Sequence, residues 1–313
     1  MPPRRRRGRP PRRLRRRPRA QGAPAAARGR ARRVSTALPV RAPFDGDALL
    51  AWLAARAVPG VEEVDGCRYR RLLGPDVVLE LELGRDRAVH HAGPVDAALA
   101  LTAADEDPAA AGALLRADPA LAPLLAARPG LRVPGAVDAA ELAVRAVLGQ
   151  QVSLAAARTL AGRLAVAHGT PRAGSGSPGA LTHAFPTPSA LAALDPATLP
   201  MPRSRGRTVV ALAAALADGT LRLDPARPDA TRAALLAVPG IGPWTADYVA
   251  LRALRDRDAF PASDLVLRRT AQALGLPGDA RGLLAHAERW RPYRAAAAQH
   301  LWAAAAAGPP APR

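Results

Sequence analysis

The chain has 313 residues and a formal net charge of +19, so it is long enough for two or three packed domains. Its one cysteine, Cys67, excludes an internal disulfide, a cysteine-based zinc site and a four-cysteine iron–sulfur cluster. All 45 basic residues are arginine, which excludes a lysine Schiff base and leaves only the N-terminal amine for such chemistry.

Residues 1–33 contain 15 arginines and no acidic residue, which leaves a net charge of +4 for residues 34–313. We expect residues 1–37 to be a disordered, arginine- and proline-rich extension, because they hold almost nothing to bury. Such a tract either binds polyanions through counterion release or is a solvated extension, which a start codon assigned too far upstream would also produce.

The chain has neither the apolar core of a signal peptide nor a run of about 20 apolar residues. We therefore expect a cytoplasmic protein that does not contact a membrane.

Residues 38–114 are predicted to form a small β-rich domain. DALLAWLAARAV (residues 47–58) has the pattern of a short amphipathic helix. Residues 61–91 include VVLELEL, in which apolar and acidic residues alternate with a period of two between glycine-containing turns. This alternation predicts an antiparallel sheet of several strands with one solvated, acidic face.

From residue 94 onward the sequence predicts helices separated by proline and glycine, and no strand. The predicted helices span residues 95–104, 107–116, 118–127, 137–148, 152–168, 188–199, 204–217, 229–238, 243–255, 264–273, 280–289 and 291–307. Residues 169–187 are the clearest predicted loop. We therefore expect an α+β fold, in which a small β-rich N-terminal domain precedes a larger, predominantly helical body.

The segment LLAVPGIGPWTADYVALRAL (residues 235–254) contains two helix-patterned runs around a five-residue break. Gly240 and Gly242 permit backbone angles that other residues avoid, and Pro243 suits the first turn of a helix. The break predicts a tight hairpin whose backbone N–H groups attract phosphate at a helix N-terminus. On its own, this pattern is also that of an ordinary corner between two helices.

VPGIGPWTADY (residues 238–248) resembles the helix–hairpin–helix of base-excision DNA glycosylases. That superfamily has a catalytic aspartate some twenty residues after the hairpin, and DAFPASDLVLRR (residues 258–269) has Asp264 at this position. The resemblance implies that Asp264 is catalytic, although an aspartate there also suits a plain helix N-cap. It further implies a DNA-binding role for the hairpin residues Pro239, Gly240, Ile241 and Gly242.

Other stretches extend the resemblance from about Phe44 to the C-terminus. They resemble the inducible DNA-3-methyladenine glycosylase II family and include WLAARAVPGVE (52–62), RPGLRVPGAVDAAELAVRAVLGQQVSLAAA (128–157), FPTPSALAALDP (185–196) and ERWRPYRAAAAQHLW (288–302). Lyase-competent branches of the superfamily carry a lysine immediately before the Thr-Ala of the hairpin's second helix, where this chain has Trp244. The resemblance therefore implies a monofunctional glycosylase without a cofactor. It also implies that the helical body consists of two domains, which we expect at residues 115–256 and at residues 257–313, the latter carrying Asp264 and packing with residues 115–138.

Six of the ten aromatic residues lie within residues 244–302. Trp244 and Tyr248 are four residues apart and share one face of a helix. In the family that the chain resembles, the positions of Trp244, Tyr248 and Trp302 line the base pocket, and we expect the same here; Trp290 is expected in the core. Aromatic rings suit a positively charged alkylated base, because cation–π attraction adds to stacking.

LGQQVS (residues 148–153) matches the family's loop that fills the gap left by a flipped-out base. Gln151 stands where the best-known relatives have leucine, which argues against a purely apolar wedge. Gln150 and Gln151 either hydrogen-bond the orphaned partner base or cap the turn between two helices.

MPRSRGR (residues 201–207) carries Arg203, Arg205 and Arg207 beside a predicted helix start. We expect these arginines to contact phosphate, although a solvated basic face is the alternative. No histidine has the spacing of a metal ligand, so no catalytic metal is expected. The family's hairpin can hold a monovalent cation on its backbone carbonyls, which the resemblance implies as an option here.

The residues and the resemblance together predict a monomeric, nucleoid-associated DNA glycosylase that excises alkylated bases of the 3-methyladenine and 7-methylguanine type from duplex DNA. Asp264 would stabilise the oxocarbenium sugar, activate water, or both. One alternative is a non-catalytic helix–hairpin–helix DNA-binding module, against which Asp264 and the three aromatic residues argue. The other is a related glycosylase for oxidised or mismatched bases, against which the missing lysine and cluster cysteines argue.

RGRPPRRLRRR (residues 7–17) resembles the end of an AraC-type DNA-binding domain. Some bacterial proteins fuse a regulator of that kind to this type of glycosylase. The extension is therefore interpreted, as a further hypothesis, as the remnant of such a fusion.

Overall fold

The computed structural model describes residues 35–173 and 181–308. These described residues form one compact unit. Most of the extension predicted for residues 1–37 lies outside the described residues, but its last part is not disordered as predicted, because Thr36 and Ala37 form a strand. Across the described ranges, no helix is long and apolar enough to cross a membrane.

Five antiparallel strands form the N-terminal sheet, in the order β1-β5-β4-β3-β2. They are β1 (Thr36–Ala37), β2 (Glu62–Asp65), β3 (Arg68–Leu72), β4 (Val78–Gly84) and β5 (Arg87–Ala92). The predicted sheet within residues 61–91 is confirmed. Strand β1 lay outside that prediction, because two residues carry no periodicity and only pairing with Val89 and His90 makes them a strand.

The prediction of a solvated, acidic sheet face is partly wrong. Leu79, Leu81 and Leu83 of β4 are buried as the alternation requires. On the opposite face, however, Glu80 is also buried, because Arg68 and Arg70 of the neighbouring strand lie at ion-pair distance from its carboxylate. Cross-strand arginines thus cover part of the acidic face that the sequence pattern assigned to water.

Helices make up most of the rest of the described chain. They are α1 (Gly46–Arg56), α2 (Val95–Thr102), α3 (Ala109–Leu115), α4 (Ala122–Ala127), α5 (Ala139–Leu148), α6 (Leu154–His168), α7 (Pro188–Ala192), α8 (Arg203–Ala217), α9 (Pro228–Ala237), α10 (Pro243–Ala253), α11 (Leu265–Ala273), α12 (Ala280–Ala287) and α13 (Arg294–Ala307). Short 3₁₀ turns occur at Pro196–Thr198 and Glu288–Trp290. The expected α+β class, with a β-rich N-terminal part and a helical body, is confirmed.

The expectation of no strand after residue 94 is wrong. Two short strands, β6 (Thr170–Pro171) and β7 (His183–Ala184), pair antiparallel within the predicted loop at residues 169–187. Each has only two residues, so no period-two pattern marks it in the sequence. Part of this loop, residues 174–180, lies outside the described ranges.

The apolar interior contains three main clusters of buried side chains. One joins the sheet to α1 and α2 and includes Phe44 and Tyr69. The second draws on α5, α6, α8 and α10, and the third on α4, α11 and α13. Trp52 packs against the first and third clusters, and Tyr248 against the second and third, so these two aromatic residues mark the place where the clusters meet. The three predicted domain boundaries stay a prediction.

Candidate active site

Asp264 is the N-cap of α11 and at the same time the centre of a hydrogen-bond network. Its Oδ1 accepts from the backbone N–H groups of Val266 and Leu267, both at 2.9 Å. The indole N–H groups of Trp244 and Trp302 donate to its Oδ2 and Oδ1 at 2.8 and 3.2 Å. The Asp264 side chain can therefore be a helix cap and a functional carboxylate at the same time.

No arginine or histidine of the described ranges lies within 4.0 Å of the Asp264 carboxylate. Its partners are neutral N–H dipoles and the N-terminus of a helix, which favour negative charge without neutralising it. The half-buried carboxylate therefore keeps a net negative charge with which to face a cation.

The three predicted pocket aromatics lie together beside Asp264. The rings of Trp244 and Tyr248 stack, with centroids 5.4 Å apart and planes 11° apart. Tyr248 meets Trp302 edge to face at 6.1 Å. Such a group of rings offers both stacking surface and an electron-rich face to a planar ligand. Trp290, by contrast, is a core residue as predicted, 1% exposed, with its indole N–H donating to Asp118.

Trp52 of α1 completes the aromatic group and was not predicted. Its ring centroid lies 5.8 Å from that of Trp302, although the two residues are 250 positions apart in the chain. The guanidinium of Arg56 lies 3.2 Å from the Trp52 ring centroid. Trp52 and Arg56 occupy positions i and i+4 of one helix. This spacing predicts that they contact each other, but it does not predict that they lie in the site.

A cavity of about 90 Å³ opens beside these residues. Trp52, Arg56, Tyr248 and Arg252 line it, together with Leu154 at the first turn of α6. Leu154 is 45% exposed, so it places an aliphatic side chain at the edge of the aromatic group.

Arginines set the electrostatics of the inner side of this cavity. Burial by itself raises the pKa of Tyr248, but Arg252 and Arg56 outweigh burial, and the pKa lies below its usual value. Arg252 donates to the Tyr248 hydroxyl at 2.9 Å and to the Gly135 carbonyl at 3.0 Å, which ties the ring to the segment before α5. Burial lowers the pKa of Arg56 to about 10. The site is thus positive near Arg56 and Arg252 and negative at Asp264.

The same cavity is also lined by a closed ion cluster of four residues: Glu62, Arg71, Glu141 and Arg145. Arg71 contacts Glu62 at 3.3 Å and Glu141 at 2.6 Å, and Arg145 contacts the same two carboxylates at 3.1 and 2.9 Å. Burial alone raises the pKa of Glu62, but Arg145 and Arg71 more than compensate and lower it to about 2. The cluster links the sheet to α5 and so joins two of the elements around the cavity.

The hairpin predicted at residues 235–254 is present, between α9 and α10. Gly240 has a φ of +88°, and a Cβ atom built on it would lie 2.0 Å from the Thr208 hydroxyl, so glycine is required for two reasons. Pro239 and Gly240 are exposed, whereas Ile241 is buried and anchors the turn. Gly242 is the N-cap of α10. The backbone of this turn is therefore exposed at Pro239 and Gly240, while the buried Ile241 side chain holds the turn in place.

The two glutamines have different surroundings in the structure. The Gln150 carboxamide donates to the Gly240 carbonyl at 3.1 Å and to the Thr245 hydroxyl at 2.9 Å, which ties its loop to the hairpin. Arg205 donates to the Gln150 carbonyl at 2.6 Å and fixes the same loop. Gln151 is exposed and has a φ of +54°, which is uncommon for a residue other than glycine.

Arg203 and Arg207 are exposed on the first turns of α8. They are four residues apart and so lie on one face of that helix. The bonds of Gln150 and Arg205 join the hairpin, the loop that carries Gln150 and the start of α8, the helix on which Arg203 and Arg207 lie.

Comparisons with known proteins identify the family. A family model, the AlkA N-terminal domain, matches residues 35–138. DNA-3-methyladenine glycosylase 2 from Escherichia coli is 38% identical over 280 residues, which cover 83% of this chain and 94% of that protein. The chain belongs to the AlkA family.

A second relative of the AlkA family differs in length. A probable bifunctional transcriptional activator/DNA repair enzyme AlkA from Mycobacterium tuberculosis is 48% identical over 286 residues, which cover 86% of this chain and 56% of the relative. The chain thus spans about half the length of that relative. The solved structure of a 3-methyladenine DNA-glycosylase from Archaeoglobus fulgidus has a similar fold, with a TM-score of 0.72 at 19% identity over 86% of this chain and 97% of that one.

Membership of the AlkA family agrees with the resemblance seen in the sequence. The structure brings together Asp264, Trp244, Tyr248 and Trp302, and it adds Trp52 and Arg56 to them. Over residues 35–173 and 181–308, no group of three or more histidine, cysteine or carboxylate side chains has the arrangement of a metal site. The roles of the individual residues, and the monovalent cation on the hairpin carbonyls, stay predictions.

Proposed function

We propose that this chain is a monofunctional DNA glycosylase that excises alkylated bases from duplex DNA and leaves an abasic site. The observation that carries the proposal is the Asp264 carboxylate, which has no ion-pair partner in the described ranges and which two indole N–H groups hold beside stacked aromatic rings. The names of the relatives, a DNA-3-methyladenine glycosylase and a DNA repair enzyme, support the same activity.

The chemistry follows from the charges of the site. A base alkylated at a ring nitrogen of a purine carries positive charge, so it stacks favourably on Trp244 and Tyr248 and is already a good leaving group. The glycosidic bond breaks with its electron pair going to the base, and the sugar becomes an oxocarbenium ion. Asp264 stabilises that ion, and accepting a proton from the attacking water is its second role.

The proposed enzyme has no lyase activity. A lyase of this superfamily would need an amine nucleophile, and the chain has no lysine. Trp244 occupies the corresponding position at the start of α10, where its indole N–H is bonded to Asp264. Water therefore takes the place of an amine as the nucleophile, and neither a cofactor nor a catalytic metal is needed.

We propose that double-stranded DNA binds across the hairpin. The exposed turn presents the backbone N–H groups of Gly240 and Gly242 to one phosphate, while Arg203 and Arg207 add charge on the adjoining helix. Gln151 enters the space left by the flipped-out nucleotide, and Gln150 and Arg205 hold the loop that carries it. A single copy of the chain holds all of these groups, which supports action as a monomer.

Release of free base from methylated duplex DNA tests the proposal. We expect the wild-type protein to release 3-methyladenine or 7-methylguanine, and Asp264→Asn to be slower by about 10²–10³-fold, as for the loss of other electrostatic groups in active sites. Strand cleavage should appear only after alkali, and borohydride should trap no covalent complex.

Tight binding of DNA by the wild-type protein without base release would favour the non-catalytic module instead. Release of an oxidised or mismatched base alone would favour the related glycosylase. Full activity of Asp264→Asn would mean that the carboxylate has been assigned wrongly.

A further inference from the structure

A second and larger cavity lies apart from the aromatic site. Its volume is about 400 Å³, which is within the range of small-molecule pockets, about 300–1,000 Å³. Its walls are mostly aliphatic and include Leu115, Leu125, Leu131, Val133, Leu251 and Ala296. None of Trp244, Tyr248, Asp264 and Trp302 lines it.

Gln299 of α13 lines this cavity with a side chain that has no hydrogen-bond partner in the described ranges. The residue is 3% exposed, and its Oε1 is buried without a partner. A buried amide left without partners costs about 1–3 kcal/mol, and buried polar groups in proteins are rarely left in this state. The amide is therefore arranged for a partner that enters the cavity.

His300, the next residue, also lines the cavity and is 6% exposed. Burial, helped by the charge of Arg128, lowers the pKa of His300 to about 4, so its imidazole is neutral at pH 7. A neutral imidazole has one donor and one acceptor nitrogen, and a carboxamide has both kinds of group as well. These two neighbouring side chains thus offer paired donors and acceptors rather than charge.

Charged side chains also line the cavity, and they differ in exposure. Arg116 and Arg257 are exposed, whereas the less exposed Arg132 and Arg255 are already engaged. Arg255 forms an ion pair with Glu106, and Arg132 donates to two backbone carbonyls. Beside Gln299 and His300 the cavity consequently favours a neutral ligand over an ion, because these two neutral side chains supply no counter-charge.

We propose that this cavity is a binding site for a neutral, planar heteroaromatic molecule, of which a free purine base is the type. The aliphatic walls enclose the ring, the Gln299 carboxamide pairs with an edge that carries adjacent donor and acceptor atoms, and the His300 imidazole binds a further ring nitrogen or carbonyl. This proposal does not rest on the glycosylase activity.

The cavity is distinct from the aromatic site but shares two helices with it. Leu251 follows Tyr248 on α10 by three residues, so the two residues lie about 4.5 Å apart along the helix axis. On α13, Gln299 precedes Trp302 by one turn. The two sites are close enough to need separate test variants.

Calorimetric titration of the full chain with hypoxanthine, which is uncharged at pH 7, tests the proposal. The wild-type protein and Trp244→Ala should bind the probe alike. Ala296→Phe fills the cavity and should weaken binding at least tenfold. Gln299→Leu removes the amide at similar volume and should also weaken binding at least tenfold, while it raises the Tm of the free protein because an unpartnered polar group is lost.

Two results would overturn the proposal. One is the absence of hypoxanthine binding to the folded wild-type protein. The other is binding that Trp244→Ala abolishes and Ala296→Phe retains, which would place the probe in the aromatic site. Should Ala296→Phe fail to fold, Gln299→Leu decides: unchanged binding by that variant contradicts the assignment.

Discussion

Asp264 and Glu62 are both carboxylates near the aromatic site, but the fold gives them opposite kinds of partners. Glu62 is buried and neutralised by Arg71 and Arg145, with further bonds from the Tyr69 hydroxyl at 2.7 Å and the Val58 N–H at 2.8 Å. Asp264 is half-buried and held by neutral N–H groups. The charge of Glu62 is used within the protein, whereas the charge of Asp264 stays available to a ligand. The difference separates a group that stabilises the fold from one that is suited to chemistry.

The largest effect is expected for Arg71→Met. The substitution leaves Glu62 and Glu141 buried with Arg145 as their one remaining cation in the cluster, and breaking a buried ion pair costs about 3–5 kcal/mol. Urea unfolding should show this loss. The matched control is Arg87→Met, which removes an exposed ion pair with Glu82 of the same sheet and should cost about 0–1 kcal/mol. Equal losses for the two variants would contradict the expectation that the buried ion cluster stabilises the fold more than an exposed ion pair does.

Substitutions at Asp264 are expected to separate capping from chemistry. Asp264→Ala and Asp264→Asn should both lower base release by about 10²–10³-fold, because each removes the negative charge. Only the alanine variant should lose stability, by about 1 kcal/mol, because asparagine still caps α11. Parallel measurements of base release and thermal unfolding check this. A stability loss of the same size in both variants would show that the charge, not the cap, stabilises the helix.

Acid should affect the Glu62 cluster in a defined pH window. The pKa of Glu62 is lowered from 4.5 to about 2 in the folded protein, so its stabilising contribution is complete above pH 4.5 and is lost as the pH falls towards 2. We expect a smaller loss than for Arg71→Met, because protonation leaves the cluster packed. Urea unfolding between pH 5 and 2 measures it. Glu62→Gln, whatever its stability at pH 7, should show a shallower decline over this window, and an equal slope would refute the assignment to Glu62.

The smallest effects are expected for the indole donors. Trp244→Phe keeps an aromatic ring but removes the 2.8 Å bond to Asp264, and we expect base release to fall about tenfold, the equivalent of 1.4 kcal/mol. Trp302→Phe removes the longer bond of 3.2 Å and should reduce the rate less. Single-turnover rates at saturating DNA compare the two variants directly. A larger effect at Trp302 would indicate that its packing against Trp52 matters more than its bond to the carboxylate.

Several features of the molecule could be predicted from the sequence because they depend on local rules. The hairpin follows from glycine and proline between two helical runs, and Gly240 has the positive φ that this pattern requires. The place of Asp264 at the start of a helix follows from its capping preference, and its spacing from the hairpin matched the family. Trp244 and Tyr248 stack because a helix brings residues four apart onto one face.

Other features were decided by the tertiary structure alone. Trp52 and Arg56 reach the site only because α1 packs where two of the apolar clusters meet, and nothing within their own helix indicates this. The link between Arg71 and Glu141 joins residues 70 positions apart, and Thr36–Ala37 becomes a strand only through its partner β5. The sequence by itself determined the turns, caps and helix faces, because these depend on a few neighbouring residues. The closed pocket, its buried charges and the second cavity depend on packing between distant segments, which no local pattern records.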